Sequence, residues 1–324
     1  MSVLAEIRKP VEKEMDEFES FFNRTMKSDI PLLKIILNYI LRRKGKQMRP
    51  LLVFLTAALN GEIVESTYVA ATMIELLHTA SLVHDDVVDD AHERRGALSV
   101  NALWNSKIAV LVGDYMLSKG LLITVEKSRY EMLEIVSEAV KSMAEGELLQ
   151  LQKARKLNIK EEDYYKIIVS KTAALLSACT ATGARSVTED LDIIQLMKDF
   201  GENIGLAFQI RDDLLDYEAN GLTGKIRGND IKERKITLPL IHALELTSAS
   251  QKRHIMSIVK SRKKTKAEIN EVIDFVTSSG GPEYAELKMN QFRDKALAIL
   301  DSYPDTEVKE SLKKFVNYTT IRIK

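Results

Sequence analysis

The chain has 324 residues, of which 45% are hydrophobic, so it can bury the core of one large domain or of two. Lys and Arg number 47 and Asp and Glu also number 47, so nothing global favours nucleic acid or an anionic membrane as a partner. Cys179 is the only cysteine, which excludes a disulfide framework within one chain and fits a reducing cytoplasm.

The N-terminal region mixes acidic and basic residues and has no apolar core of the signal-peptide type. Uninterrupted apolar runs, such as the one over 51–59, are too short to span a bilayer. We therefore expect a cytoplasmic protein without a transmembrane segment.

Only six prolines occur, and none lies between Pro50 and Pro239, which predicts one helix after another. In the first half we predict an amphipathic helix over 1–26, a helix from Pro31 to about 42–45, one from Pro50 to Asn60 and a long apolar helix over 66–90, closed by Arg94-Arg95-Gly96.

In the second half we predict helices over 100–127, 130–157, 161–182, 191–217, 237–246 and 266–277, and two more after Gly280-Gly281-Pro282. Polar segments over 221–235 and between 246 and 266 are expected to be connectors. No segment alternates like a strand. The sequence predicts an all-α fold, a single-domain helical bundle over residues 1–324.

Two DDxxD motifs stand far apart in the sequence, each inside an apolar segment. They consist of Asp85, Asp86 and Asp89 and of Asp212, Asp213 and Asp216. Residues three or four apart share a helix face, so each motif directs its carboxylates together. Like charges this close need a compensating cation, and hard oxygen ligands suit Mg²⁺, which shares itself with phosphates. We predict that the two motifs face each other and hold Mg²⁺ against a diphosphate.

The plainer interpretation of either motif is a solvated acidic helix face. With Asp at roughly 6% of residues, the expected number of chance DDxxD motifs in a chain of this length is about 0.07. Only a few chains per thousand would contain two by chance. The recurrence favours the metal site.

Basic residues accompany the motifs along the chain. Lys46 and Arg49 lie at a predicted helix start, which itself favours anions, and His78 precedes the first motif by two helical turns. The other candidates are Arg94 and Arg95 after the first motif, Lys171 beside Thr172 in a predicted helix, and Lys225 and Lys235 after the second motif. Each could instead be a solvated, capping or snorkelling side chain. Together they match two diphosphates, one held through metals and the other directly by Lys and Arg.

These residues resemble the trans-isoprenyl diphosphate synthases, also called the polyprenyl synthetase family. The features in common are GKQMRP, ELLHTASLVHDDVVDDAHERRG, Lys171-Thr172, FQIRDDLLDY and GKIRGNDIKERKITLP, in the family's order over roughly 40–245. The resemblance implies an all-α fold around a deep central cavity, usually a homodimer. It also implies Mg²⁺-dependent condensation of isopentenyl diphosphate with an allylic diphosphate, with three ions per active site when substrate is bound.

The resemblance also implies a role for each matching residue. Asp85, Asp89 and Asp212 would be the principal Mg²⁺ contacts, with Asp86, Asp213 and Asp216 in support. The allylic substrate would be held by Arg94, Lys171, Thr172, Gln209, Lys225 and Lys235, and isopentenyl diphosphate by Lys46, Arg49, His78 and Arg95. One departure from the family pattern is Arg234, where members often have Gly before the lysine.

Product length is the remaining question. The i−4 ladder below Asp85 runs through Ser81 to Leu77, with Ala80 beside it. One isoprene unit of about 5 Å is close to one helical turn. The small Ala80 and Ser81 leave room for the growing chain to pass along this helix. The closed end of its tunnel is expected near Met116, Leu122 or Ile123. This pattern resembles the long-chain type, which implies a product of about C35–C45 for a quinone side chain.

Three alternatives stay open. The first is a short-chain farnesyl or geranylgeranyl diphosphate synthase, and the second is a terpene cyclase, which shares the first motif. The third is non-enzymatic, a subunit of a heteromeric synthase. The full second DDxxD motif and GKQMRP argue against the cyclase, and the intact aspartates of both motifs argue against the subunit.

Overall fold

The structure, a computed structural model, describes residues 2–43, 45–94, 96–156, 159–218 and 227–321. It confirms the all-α fold. The first half contains α1 (Val3–Arg8), a 3₁₀ turn (Lys9–Val11), α2 (Glu12–Thr25), α3 (Pro31–Leu41), α4 (Met48–Asn60), α5 (Glu65–Val88), β1 (Glu93–Arg94), β2 (Ala97–Leu98), α6 (Val100–Trp104), α7 (Ser106–Glu126) and α8 (Tyr130–Lys156).

The second half is also helical. It contains α9 (Glu161–Ile168), a π turn (Val169–Ala173), α10 (Ala174–Arg185), α11 (Leu191–Leu214), α12 (Asn229–Lys232), α13 (Leu238–Glu245), α14 (Ala249–Lys260), α15 (Lys266–Ser278), α16 (Gly281–Asp301) and α17 (Glu307–Ile321).

Proline and capping residues explain several helix boundaries. Pro10 splits the predicted N-terminal helix, since it lies in the 3₁₀ turn between α1 and α2. Pro31 occupies the first turn of α3, where no N–H is needed. Ser99 and Asn105 cap α6 and α7 through side-chain oxygens that accept backbone N–H groups at 3.0 and 3.2 Å.

The structure corrects the sequence predictions in further places. A two-residue antiparallel hairpin, β1 with β2, follows α5 where no strand was predicted, and Gly96 between the strands has a φ of 71°. Both segments predicted as polar connectors contain a helix: the short α12 lies within 221–235, and α14 lies between 246 and 266. In α14 the apolar residues Ile255, Ile258 and Val259 repeat at helical spacing and are buried.

The chain divides into two compact units by its backbone contacts. Unit 1 comprises Met1–Glu138, Ala178–Lys198 and Asp305–Leu312, and unit 2 comprises Ala139–Ser177, Asp199–Pro304 and Lys313–Lys324. The first DDxxD motif lies in unit 1 and the second in unit 2. The single domain, the central cavity and the meeting of the two motifs stay predictions.

Unit 1 is built on the close approach of α5 and α7. Two glycines of α7 face α5, and a Cβ at Gly120 would lie 3.5 Å from Leu76 Cβ. A Cβ at Gly113 would overlap the ring of His84. The glycines therefore let the helix that carries the first motif pack directly on the α7 backbone.

Unit 2 has a core in which the second motif is partly immersed. Buried apolar residues of α11, α13, α14, α15 and α16 form one cluster, and Ile210 and Leu214 bring α11 into it. The carboxylates of the second motif therefore stand at the edge of a dry interior, where charge is costly.

Two helices of the described chain are long and apolar enough to cross a membrane, Ser106–Glu126 and the continuous Glu161–Arg185. In the second, 67% of the most apolar window is buried, which is typical of a core helix, whereas the figure for the first is 39%. One or two such helices are weak evidence for a membrane span, so the expectation of a chain without a transmembrane segment is not overturned.

Candidate active site

The first motif occupies the C-terminal end of α5. Asp85 and Asp89 are exposed, and the Asp89 N–H donates to the Asp85 carbonyl at 2.8 Å as the helix ends. The last turn of a helix carries partial negative charge, so carboxylates there are repelled by the backbone as well as by each other. Such an arrangement is stabilised by a cation.

Asp86 differs from its neighbours, being 3% exposed. Arg94 on β1 donates from Nε to Asp86 Oδ1 at 2.6 Å, and the Ala91 N–H donates to the Asp86 carbonyl at 2.9 Å. The hairpin therefore returns Arg94 to the motif. The structure brings together two predicted site residues, with the Asp86 carboxylate orienting the guanidinium.

A second pair assembles from α4 and α5. Arg49 Nη1 lies 2.9 Å from His78 Nε2, although 29 residues separate them. A guanidinium can only donate, so the imidazole accepts at Nε2 and carries its proton, if neutral, on Nδ1. Lys46, three residues before Arg49, is exposed ahead of the α4 N-terminus, and Gln47 between them is left-handed with a φ of 48°. These residues form a cationic group that fits an anion.

The second motif stands at the C-terminal end of α11, so the same electrostatic argument applies to it. Asp213 is 5% exposed and accepts hydrogen bonds at 2.8 Å from Tyr164 Oη and from Gln209 Nε2. Burial raises the pKa of Asp213 to about 7, against the opposing effect of those two donors. Asp212 is only half-buried.

Asp216, the last carboxylate of the motif, is buried and caps α12. Its Oδ1 and Oδ2 accept the backbone N–H groups of Asn229 at 2.9 Å and Asp230 at 3.2 Å. The motif thereby anchors the segment that leads to Lys235. Of the six predicted metal ligands, Asp86, Asp213 and Asp216 are buried and bonded, and these are the three to which the resemblance gives a supporting role.

Lys171 and Thr172 lie in the π turn that interrupts the helix between α9 and α10. Lys171 Nζ lies 2.5 Å from Glu147 Oε2 and donates to Gln150 Oε1 at 3.2 Å, both on α8. Thr172 Oγ1 donates to Gln209 Oε1 at 2.8 Å. Thr172, Gln209, Asp213 and Tyr164 therefore form one continuous hydrogen-bond chain in unit 2.

Two glycines allow the π turn to fit between its neighbours. A Cβ at Gly146 on α8 would lie 2.7 Å from Ser170 Cβ, and one at Gly205 on α11 would lie 2.4 Å from Ala173 Cα. Turns of π-helix are frequent at functional sites because they displace side chains from the regular spiral.

Lys235 is held by acidic neighbours. Its Nζ lies 2.7 Å from Glu233 Oε2 and 3.7 Å from Asp230 Oδ1. Burial lowers the pKa of Lys235, but the hydrogen bond and charge of Glu233 outweigh it, so the net pKa is raised. The preceding Arg234 has a φ of 62°. This left-handed backbone explains why glycine suits the position.

The residues predicted to set product length lie in the helix below the first motif. Leu77 and Ala80 are 5% and 2% exposed, whereas Ser81 is half-buried and donates from Oγ to the His78 carbonyl at 2.9 Å. Met116, one of the expected floor residues, lines a cavity of about 50 Å³ together with His78 and Leu82. Ile123 is buried and Leu122 is 47% exposed.

Two predicted site residues, Arg95 and Lys225, lie outside the described residues. Sequence reasoning missed Tyr164 and the α8 partners Glu147 and Gln150. Tyr164 precedes Lys171 by seven residues, the same two-turn spacing that singled out His78, so a signal for it was present. The α8 pair has no comparable sequence signal.

The fold and these side chains define a class of protein: an all-α chain with two carboxylate motifs at helix ends, each accompanied by cationic side chains. The sequence profile described as "Polyprenyl synthetase" matches residues 30–276. The chain belongs to this family, and it is a trans-prenyltransferase of the isoprenyl diphosphate synthase type.

Individual proteins extend this likeness. The chain is 36% identical over 291 residues to the octaprenyl diphosphate synthase of Escherichia coli K12, covering 89% of each chain. The crystal structure of a decaprenyl diphosphate synthase from Rhodobacter capsulatus matches with a TM-score of 0.91 and 31% identity over 99% of both chains. The crystal structure of a geranylgeranyl pyrophosphate synthase from Bacteroides thetaiotaomicron matches with a TM-score of 0.84 and 37% identity, over 99% of this chain and 100% of that one.

Proposed function

We propose that this enzyme condenses isopentenyl diphosphate with an allylic diphosphate to make a long-chain all-trans polyprenyl diphosphate of about C35–C45. The observation that carries the proposal is the placing of both DDxxD motifs at helix C-termini. The helix dipole and the carboxylates add negative charge there, which a bound cation stabilises. Further support comes from the likeness to an octaprenyl and a decaprenyl diphosphate synthase.

The described residues fit Mg²⁺ as the ion. Among them, no group of three or more His, Cys, Asp or Glu side chains could enclose a metal by itself. Mg²⁺ suits this arrangement because it binds through one or two carboxylates and completes its octahedron with waters and substrate phosphates. We assign Asp85, Asp89 and Asp212 as the direct ligands, and three ions per site as the expected number. When bound, the ions neutralise the diphosphate charge.

The protein's own side chains supply the rest of the chemistry. Arg94 and Lys171, each already oriented by an acidic residue, hold the allylic diphosphate as its C–O bond weakens and negative charge develops. Arg49 and His78 hold isopentenyl diphosphate. Apolar walls exclude water, which would otherwise quench the allylic cation.

The long product is argued from the helix below the first motif. Ala80 and Ser81 present no aromatic ring that would end growth after one or two additions. The short-chain alternative keeps one supporting observation, the likeness to a geranylgeranyl pyrophosphate synthase. Product length decides between them, and a use in quinone side chains belongs to the long-chain proposal.

We also propose a homodimer, supported by the outer side of α7. Five apolar residues there are 38–58% exposed, namely Val110, Leu111, Leu121, Leu122 and Val125. A second copy that covered this face would remove the apolar surface from water. Light scattering coupled to gel filtration should give twice the mass of 36.6 kDa.

The test of the activity uses the purified chain with Mg²⁺, farnesyl diphosphate and labelled isopentenyl diphosphate, followed by reverse-phase chromatography. Products of C35–C45 are expected, lost with EDTA and greatly reduced by Asp85→Asn. Products that end at C20, after a single addition to the C15 primer, would overturn the long-chain proposal. A folded chain without activity in Mg²⁺ would favour a subunit of a heteromeric synthase.

A further inference from the structure

A dense run of positive charge lies on α14 and on the loop that joins it to α15. Between Glu245 and Glu268 the sequence has seven Lys or Arg and no acidic residue. They are Lys252, Arg253, Lys260, Arg262, Lys263, Lys264 and Lys266. Because the whole chain has equal numbers of acidic and basic residues, this is a local concentration of charge.

Packing adds two cations to this run. Lys264 Nζ lies 3.4 Å from the carbonyl of Lys232, so the loop rests against α12. Burial, and then the charge of Arg234, lower the pKa of Lys264 more than the charge of Glu268 raises it, so Arg234 lies close enough to act on Lys264. We call Lys232, Arg234, Lys260, Arg262, Lys263, Lys264 and Lys266 the basic patch.

The acidic residues near the patch are engaged elsewhere. Glu233 pairs with Lys235 at 2.7 Å, and Glu268 accepts the Thr265 N–H at 2.7 Å and its hydroxyl at 2.9 Å, closing the α15 cap. Within the described ranges, no carboxylate forms an ion pair with a member of the patch. Arg262, Lys263 and Lys266 are exposed. Glu233 and Glu268 interact by charge with Lys232 and Lys264, but two carboxylates against seven cations leave the patch with net positive charge.

We propose that the basic patch docks the enzyme on a bilayer that contains anionic phospholipids. The argument for a lipid partner rests on the proposed function, because a C35–C45 chain prefers an apolar phase by about fourfold for each methylene. The patch adjoins α12, which Asp216 of the second motif caps, so docking would bring that end of unit 2 to the bilayer. Nucleic acid fits less well, since 246–267 contains no Phe, Tyr or Trp on which bases could stack.

Each basic residue near an anionic bilayer contributes about fivefold to binding, so neutralising three should weaken it about a hundredfold. The test variant is Arg262→Gln with Lys263→Gln and Lys266→Gln. Lys264 is retained because it donates to the Ser261 carbonyl at 2.8 Å and supports the loop. The control is Lys141→Gln with Lys166→Gln and Lys295→Gln, which removes the same charge from exposed positions on α8, α9 and α16.

Sedimentation with phosphatidylcholine vesicles containing 0 or about 30% phosphatidylglycerol, without substrate, measures docking. We expect the wild type and the control to bind only the anionic vesicles, less tightly as salt rises, and the test variant to lose binding. Equal binding to neutral vesicles, or full binding by the test variant, would overturn the proposal. So would binding to an RNA oligonucleotide but not to vesicles.

Two further measurements distinguish membrane docking from the steering of soluble substrates and from the proposed prenyl transfer. If the patch instead steers soluble diphosphates, the test variant will have a lower kcat/KM in detergent and no defect specific to vesicles, which would contradict docking. Product chromatography on the same wild-type preparation tests the prenyl transfer independently. Docking without a polyprenyl product would contradict the proposed function but would still support the lipid-binding surface.

Discussion

Tyr164 and Asp213 form a buried hydrogen bond of 2.8 Å between a phenol and a carboxylate of the second DDxxD motif. Burial raises the pKa of Asp213 from 3.8 to about 7. Between these values the folded metal-free chain binds the proton that the unfolded chain has released. Stability contributed by this group therefore falls as pH rises from about 4 to 7.

Tyr164→Phe removes one donor from the ionised carboxylate. In EDTA at pH 8 we expect a loss of roughly 1–3 kcal/mol in the free energy of unfolding, because a buried anion loses a partner. At pH 5 Asp213 is protonated in the fold, and the loss should be smaller. Urea denaturation at both pH values measures it.

Tyr217→Phe is the matched control for this variant. Tyr217 is another buried tyrosine of unit 2, and among the described residues its hydroxyl hydrogen-bonds to the neutral Thr237 hydroxyl at 3.2 Å and to no carboxylate. The loss in the free energy of unfolding caused by Tyr217→Phe should be similar at pH 5 and pH 8. An equal loss at both pH values in Tyr164→Phe would show that Tyr164 does not stabilise an anion.

Arg94→Gln leaves the buried Asp86 carboxylate without its cation. Removing one partner of a fully buried pair costs about 3–5 kcal/mol, and we expect roughly 1–3 here because the Arg94 side chain is 35% exposed. Adding Asp86→Asn should recover part of the loss. Arg293→Gln, whose partner Asp294 is 62% exposed, should cost less than about 0.5 kcal/mol. No recovery in the double variant would refute the pairing.

Gly205→Ala would force a methyl group against the π turn, 2.4 Å from Ala173 Cα. We expect a loss of about 1–3 kcal/mol, since backbone rather than a flexible side chain must move. Gly120→Ala is the control, because its nearest contact is an ordinary 3.5 Å and alanine favours the helix by up to about 1 kcal/mol. Thermal unfolding of the two variants should move in opposite directions. Similar shifts would contradict this account.

Arg234→Gly should stabilise the protein by up to about 1 kcal/mol, because glycine accepts the φ of 62° without steric cost. The greater freedom of glycine in the unfolded chain reduces the gain. Arg234→Ala removes the same charge but retains a Cβ, so it should bring no gain. If both variants raise Tm equally, charge relief rather than backbone conformation is responsible.

Ser81→Phe places an aromatic ring one turn below Asp85. Ser81 is half-buried, so we expect folding and turnover to persist while the product shortens to a few isoprene units. Ala80→Phe is less suitable, because Ala80 is 2% exposed and overpacking would cost about 1–3 kcal/mol. Chromatography of products from Ser81→Phe, with Ser81→Ala as the control, checks the prediction. Unchanged product length in Ser81→Phe would place the growing chain elsewhere.

Hydrophobic periodicity and proline positions predicted most of the helices, since both act locally. They failed at α14, where seven basic residues nearby concealed the stripe of Ile255, Ile258 and Val259. Three apolar residues at helical spacing suffice when a core lies beneath them. Composition alone does not reveal that core.

Motif spacing predicted which residues lie together within each motif but not their surroundings. Spacing places Asp85, Asp86 and Asp89 at one helix end. It does not show that Asp86 turns into the protein to meet Arg94, because that depends on a hairpin from another segment. The same limit hid Glu147, whose contact with Lys171 depends on how α8 packs.

The π turn at Val169–Ala173 gives the helix a phase shift, because it holds more residues per turn than its flanks. A helical wheel drawn straight through it would assign the inward side chains of one flank to the wrong side. Deleting one residue within it should restore regular winding and leave the flanking helices almost unrotated. Deleting one residue from the regular part of α9 after Tyr164 should instead rotate Tyr164 by about 100° relative to α10 and carry it away from its carboxylate. Sequence register between Tyr164 and α10 thus sets the geometry of the candidate site.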